Sequence, residues 1–145
     1  MYLTGNTRLS LDSKVRFTLP ADYRKEFADG RVVLVPIEDA LWGFTPEGHK
    51  AYVKSLFPDG FNPRNKRDAM LKRYMTVRSK TVELDSAGRL NLGKIDAGIR
   101  EKVGIEHDIV VAGNDDHLEI WSAAKWDEEL GSLDAEDLDA LLFTE

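Results

Sequence analysis

One stretch of this chain is written twice. Leu9-Ser-Leu-Asp-Ser-Lys-Val-Arg-Phe-Thr-Leu19 returns as Val82-Glu-Leu-Asp-Ser-Ala-Gly-Arg-Leu-Asn-Leu92, 73 residues later. Leu11/Leu84, Asp12/Asp85, Ser13/Ser86, Arg16/Arg89 and Leu19/Leu92 are identical pairs. Further on, Val32-Val33-Leu34 matches Ile109-Val110-Val111 at an offset of 77, which also aligns Glu38-Asp39 with Asp115-Asp116, Leu41 with Leu118 and Phe44 with Trp121. An insertion of four residues between the two boxes reconciles the offsets. Self-similarity at half the length of a 145-residue chain means two copies of one supersecondary unit.

Each unit reads as short strands around a small helix. Thr7-Leu9-Leu11 alternates apolar with polar, and Arg16 to Leu19 alternates again after a tight turn. Pro20 suits a first helical position, which predicts a helix over Ala21–Phe27 ending near Gly30. A β-branched run over Arg31–Val35, a turn over Pro36–Asp39 and a strand over Ala40–Phe44 complete the unit. The second copy predicts strands at Val82–Leu84, Arg89–Leu92, Ile109–Ala112 and Leu118–Trp121, with a helix near Ile95–Val103. A helix is expected after each fourth strand, at Pro46–Leu56 and Ala123–Leu130. Between the units, Asn62–Thr76 places Met70, Leu71, Tyr74 and Met75 on one stripe of a basic helix. The domain reading is therefore a first module at 1–61, a linking helix at 62–78, a second module at 79–131 and an acidic tail at 132–145. Leu138, Leu141 and Leu142 form a stripe in that tail, which reads as a short amphipathic helix or as disorder.

Charge is unevenly distributed beneath a net of −6. Residues 126–145 hold eight acids and no Lys or Arg, whereas residues 62–81 carry a net +6. This asymmetry suggests one face for a polyanion and a solvated end, or simply two solvated helix faces, and charge alone does not decide. A 42% hydrophobic content is that of a chain able to bury a core. The absence of cysteine excludes disulfides, thiolate metal sites and thiol catalysis. No apolar run approaches the ~18–20 residues of a membrane span, and the first residues lack a signal-peptide pattern. A cytoplasmic protein is expected.

Catalytic patterns are lacking. His49, His107 and His117 have no i,i+4 partner on a helix, and no phosphate loop or nucleophile elbow occurs. The carboxylate pairs Glu38-Asp39 and Asp115-Asp116 occupy equivalent turns and read as turn chemistry. The chain is expected not to be an enzyme, and to need no cofactor, metal or small-molecule ligand.

The duplicated Leu-Asp-Ser-x-x-Arg box remains. A carboxylate four residues before an arginine, across a turn, can hold the guanidinium in one orientation by charge-assisted hydrogen bonds. Chemistry leaves two readings open: an ion pair that pins the hairpin, or a pre-oriented arginine that reads guanine or braces a phosphate.

The boxes Leu11-Asp12-Ser13-Lys14-Val15-Arg16-Phe17-Thr18-Leu19-Pro20 and Glu83-Leu84-Asp85-Ser86-Ala87-Gly88-Arg89, with the closing Glu119-Ile120-Trp121-Ser122, resemble those of the MraZ family over residues 1–131. The resemblance implies an α+β protein of two tandem, pseudo-symmetric swapped-hairpin units of the AbrB and MazE type, with short helices. It implies a nucleoid-associated transcriptional regulator of the division and cell wall gene cluster, in sense a repressor. Its partners would be repeated short sites on double-stranded DNA and further copies of itself, in a ring-like homo-oligomer for which an octamer is one candidate. Arg16 and Arg89 become the DNA contacts, Lys14 a phosphate contact, and Asp12 and Asp85 the carboxylates that orient the arginines. The alternative use of the same fold is a protein-interaction module, antitoxin-like or a scaffold. Two positions depart from the family pattern. Val15 stands where a glycine is usual, which predicts strain and a differently shaped first hairpin if the position needs positive φ. Leu92-Gly93 replaces Ile-Pro and removes the proline expected to start the second unit's helix.

Overall fold

A computed structural model describes residues 1–130 and 135–144. The first unit runs β1 (Asn6–Ser10), β2 (Arg16–Thr18), α1 (Ala21–Arg24), β3 (Arg31–Ile37), β4 (Ala40–Phe44) and α2 (Pro46–Ser55). Helix α3 (Lys66–Val77) leads to the second unit: β5 (Lys80–Glu83), β6 (Arg89–Asn91), a 3-10 turn at Leu92–Lys94, α4 (Ala97–Lys102), β7 (Asp108–Asn114), β8 (His117–Ser122) and α5 (Ala123–Leu130). Helix α6 (Ala135–Leu142) follows. The acidic-tail residues 132–134 and 145 lie outside the described residues.

The strands form a six-stranded antiparallel sheet in the order β1-β7-β8-β4-β3-β5 and a separate two-stranded ribbon of β2 and β6. Exchanging the two units leaves this order unchanged when read backwards, so the chain carries an internal two-fold. The first strand of each unit pairs with the third strand of the other, β1 on β7 and β5 on β3. The units thus trade their opening strands, and β4·β8 and β2·β6 meet across the two-fold.

Strand periodicity assigns the two faces of the sheet. Val32 and Leu34 of β3, Leu41 of β4, Ile109 and Val111 of β7 and Leu118 and Ile120 of β8 enter one core with Phe17 and Leu90 of the ribbon. Val33 and Val35 point to the opposite face, where Phe44 meets Val53 and Phe57 after β4 and Met75 of α3. The ribbon and the helix pair α2–α3 therefore cover opposite faces of one sheet.

Local differences from the sequence expectations have physical causes. α1 stops at Arg24, and the chain continues to Gly30 through the Phe27 N–H to Arg24 C=O and Gly30 N–H to Phe27 C=O turns, at 3.0 and 2.8 Å, which deliver Phe27 to the core. β3 extends through Pro36 because β5 pairs only with Arg31–Leu34, so beyond that point one side of the strand is an edge where proline is tolerated. The second unit starts its helix without proline. Asn91 caps the 3-10 turn by accepting from the Gly93 N–H at 2.8 Å, and Asp96 caps α4 by accepting from the Gly98 N–H at 3.0 Å. Met70 leaves the expected stripe of α3 and is exposed; Met75 is buried, Leu71 half-buried, and the Tyr74 hydroxyl donates to the Pro36 carbonyl at 2.7 Å.

Candidate nucleic-acid interface

The ribbon alternates like any half-buried strand pair. Phe17 faces Leu90 and both are buried, whereas Arg16 stands opposite Asn91 and Thr18 opposite Arg89 on the outer side. The two arginines are thus placed diagonally on one outward surface, related by the internal two-fold.

Each arginine is set by the turn before it. Asp12 Oδ1 accepts from the backbone N–H groups of Lys14 and Arg16, both at 2.9 Å, and its Oδ2 accepts from Arg16 Nε at 2.9 Å. The Asp12 carbonyl closes the turn by accepting from the Val15 N–H at 3.0 Å. The second copy repeats every bond. Asp85 Oδ1 accepts from Ala87 and Arg89 N–H at 2.9 Å, its Oδ2 from Arg89 Nε at 2.7 Å, and its carbonyl from the Gly88 N–H at 2.9 Å. One carboxylate oxygen shapes the loop and the other fixes the guanidinium, which is why the box needs an aspartate at that distance.

Both carboxyls are held below the usual aspartate range. At Asp12, desolvation acts upward, but the Arg16 amide, the Arg16 side chain and the Lys14 amide together outweigh it. At Asp85 the Arg89 amide leads, with the Arg89 side chain and the Ala87 amide beside it. The pairing occupies only the Nε edge of each arginine. No hydrogen bond joins the Nη groups of Arg16 or Arg89 to another described residue, so the outer ends stay available for a bidentate contact. Lys14 is exposed at the turn.

The expected distortion at Val15 is corrected by the structure. Val15 has φ +62° and Gly88 +75°, so both hairpins take the same left-handed residue at this step. The carbonyls of these residues accept across the two-fold: Leu92 N–H donates to Val15 C=O at 2.8 Å, and Leu19 N–H to Gly88 C=O at 3.0 Å. Valine accepts an unfavourable backbone while its side chain packs against the main core. A Cβ at 88 would also meet the Arg24 side chain, whose flexible end would have to shift. Arg24 of α1 therefore lies against the second Asp-Arg turn, a further cation at the ribbon that sequence reading missed. Its only signal was a helical arginine one turn after Pro20.

The basic helix suggested by charge sits elsewhere. α3 covers the face of the sheet remote from the ribbon, so the +6 block and the paired arginines do not form one surface. Also missed was a buried polar cluster on that remote face. His117 and Glu119 are 5% and 8% exposed; His117 Nε2 meets Glu119 Oε2 at 2.9 Å and its Nδ1 meets Asp116 at 2.7 Å. Asn114 and Trp121 donate to Glu119 at 2.9 and 3.0 Å, and Trp42 stacks on the imidazole with ring centres 4.0 Å apart. Desolvation pushes the His117 pKa down, yet the Glu119 and Asp116 carboxylates raise it above its ordinary value; desolvation pushes Glu119 up, yet its three donors hold it below. His117, Glu119 and Trp121 recur at every second residue of a strand, the signal that a search at helical spacing passes over. Glu38 and Asp115 have φ of +53° and +66°, which bears out their reading as turn residues.

Intertwined units, a sheet with an internal two-fold and a two-stranded arginine ribbon on that axis define a single-chain swapped-hairpin protein of mixed α+β class. The chain belongs to the MraZ family, whose model, described as "MraZ protein, putative antitoxin-like", matches residues 2–73 and 75–141. It is 32% identical to the transcriptional regulator MraZ of Nitrosomonas eutropha over 134 residues, covering 90% of this chain and 88% of the relative. The protein of the same name in Mycoplasmopsis pulmonis is 32% identical over 148 residues, covering 99% and 94%. That of Thermoanaerobacter pseudethanolicus is 31% identical over 149 residues, covering 96% and 98%.

Proposed function

We propose that the β2–β6 ribbon binds double-stranded DNA and that the chain is a sequence-specific transcriptional regulator rather than an enzyme. The observation that carries this reading is the duplicated turn: two aspartates hold two arginines by Nε, and no hydrogen bond ties their Nη ends to another described residue. A two-stranded ribbon fits the ~12 Å major groove of B-DNA, where guanine offers two acceptors to a bidentate arginine. Asp12 and Asp85 act by orientation, and Lys14 and Arg24 supply phosphate contacts. The sites are short promoter repeats at the division and cell wall gene cluster, and the sense is repression. A ring-like homo-oligomer matches repeated sites with repeated ribbons and converts weak single contacts into avidity.

The test is binding of DNA from upstream of the chain's own gene cluster, measured beside thermal unfolding. Arg16→Ala and Arg89→Ala should each weaken specific binding by about 1–3 kcal/mol per contact, with the melting temperature nearly unchanged. Lys14→Ala should weaken binding to all sequences alike and lower the salt slope by roughly 0.9 for each phosphate contact removed. Arginine variants that bind DNA as the parent does would move the reading to a protein-interaction module, which the apolar groove between α2 and α3 would serve.

A further inference from the structure

The face of the sheet away from the ribbon carries a groove with no covering element among the described residues. It lies between α2 and α3, has a volume of about 470 Å³, and is floored by Val53, Phe57 and Phe61. Lys50, Lys54 and Lys72 stand around it, and among the described residues no carboxylate lines it. The Lys72 ammonium sits 4.2 Å from the Phe61 ring centre, and Phe57 and Phe61 meet edge to face at 5.2 Å, so the floor is aromatic and its rim cationic.

Helix α6 has the opposite properties. Leu138, Leu141 and Leu142 fall at i, i+3 and i+4, one face of a helix, and are 48%, 67% and 64% exposed. The sequence around them, from Asp134 to Phe143, adds Asp134, Glu136, Asp137 and Asp139 and no Lys or Arg. The groove beside α5, lined by Trp121, Trp126 and Leu130, is a poorer seat because Glu119 and Glu129 also line it. An acidic helix with an apolar stripe is suited to an apolar groove with a lysine rim.

We propose that α6 of one copy of this chain docks in the α2–α3 groove of another, the three leucines on Val53, Phe57 and Phe61 and Asp139 on the side of the lysine rim formed by Lys50, Lys54 and Lys72. This rests on the homo-oligomer reading above and names the contact that would join the copies. It also seats the acidic segment on the face opposite the arginine ribbon, away from the DNA phosphates.

The cysteine-free chain makes a direct test available. Full-length Lys54→Cys and Asp139→Cys chains are co-expressed with different tags, oxidised, and run without reductant beside each variant alone. A covalent pair carrying both tags is expected. Leu138→Asp and Leu141→Asp in the Asp139→Cys chain should reduce it to the level given by Glu106→Cys, an exposed position outside the groove, in place of Lys54→Cys. A chain carrying both Lys54→Cys and Asp139→Cys that closes on itself as a monomer would overturn the proposal in favour of docking within one copy. The absence of a mixed pair would overturn it as well. Sedimentation of the parent protein separates the two levels: a monomer removes the homo-oligomer reading, whereas an oligomer without the cross-link removes only this seat for α6.

Discussion

The two faces of the central sheet have treated the internal repeat differently. On the ribbon face, the Asp-Arg turns match bond for bond, and Phe17 with Leu90 and Leu19 with Leu92 occupy equivalent core positions. On the remote face, Trp42 and Phe44 of β4 answer to Glu119 and Trp121 of β8, and α2 has α3 beside it. The reason is geometric. Across the ribbon, each turn's left-handed residue accepts a hydrogen bond from the other unit, so a change in one box disturbs both. On the remote face the units meet through side chains, Trp42 on His117, and α2 and α3 pack against β3 and β4 of the first unit. Symmetry is retained where the two units exchange backbone hydrogen bonds at the ribbon turns.

The largest effects should follow from truncating the shared core. Phe17→Ala and Leu90→Ala remove side chains 3% and 0% exposed beneath the ribbon, and each should lower unfolding free energy by about 2–5 kcal/mol. Denaturant titration gives both values on one scale. If one substitution cost several times the other, the equivalence of the two units at the ribbon would be broken.

On the remote face, Glu119→Ala should cost roughly 3 kcal/mol, because it strands a buried imidazolium and the Asn114 and Trp121 donors. The pH dependence carries a sign that can be checked. His117 is raised above its ordinary 6.5, so its contribution is complete below 6.5 and is lost as pH rises through the raised value. Glu119 is depressed below its ordinary 4.5, so its contribution is complete above 4.5 and is lost as pH falls through the lowered value. The stability gap between parent and variant should therefore be widest between 4.5 and 6.5 and narrow on either side. A gap that does not vary with pH would show that the cluster acts by packing alone.

How much could be read in advance follows from the same contrast. Alternation, a β-branched run and the repeat together located the eight described strands to within a few residues, and the repeat located both Asp-Arg turns. Strand exchange came from the family resemblance alone: the alternation of Thr7, Leu9 and Leu11 says which face is buried but not that β7 is the partner. The place of α3 was hidden as well. Its charge suggested a polyanion surface, while Met75 and the Tyr74 hydroxyl, neither of them charged, tie it to the side remote from the arginines. Arg24 could not be assigned because its role depends on the missing Cβ of Gly88 in the other unit.

That missing Cβ gives a smaller effect that tests the symmetry of the ribbon from the other side. Gly88→Val would copy the first unit's residue into the second. The backbone already has φ +75°, which a β-branched residue adopts at a cost, and the added atoms must displace Arg24. A loss of about 1–3 kcal/mol is expected. Combining it with Arg24→Ala should recover part of the loss by removing the overlap while leaving the backbone term. If the double variant is no better than Gly88→Val alone, the overlap is not what keeps glycine there.

The reverse exchange, Val15→Gly, should be the mildest change of all, because its terms oppose one another. A valine in the left-handed region carries an unfavourable backbone energy of roughly 1–2 kcal/mol, which glycine removes. Glycine in turn loses about 0.5–1 kcal/mol to the greater freedom of its unfolded chain. It also gives up the packing of a half-buried side chain against the main core, about 1 kcal/mol at partial burial. The sum lies near zero, so the melting temperature should barely move, and the Leu92 N–H to Val15 C=O bond, which uses only backbone, should persist. DNA binding supplies the sharper readout. The Asp12–Arg16 geometry does not involve the Val15 side chain, so affinity should match the parent if the turn is held by Asp12 alone. A clear loss of affinity at unchanged stability would instead show that valine's stiffness holds the first turn in shape.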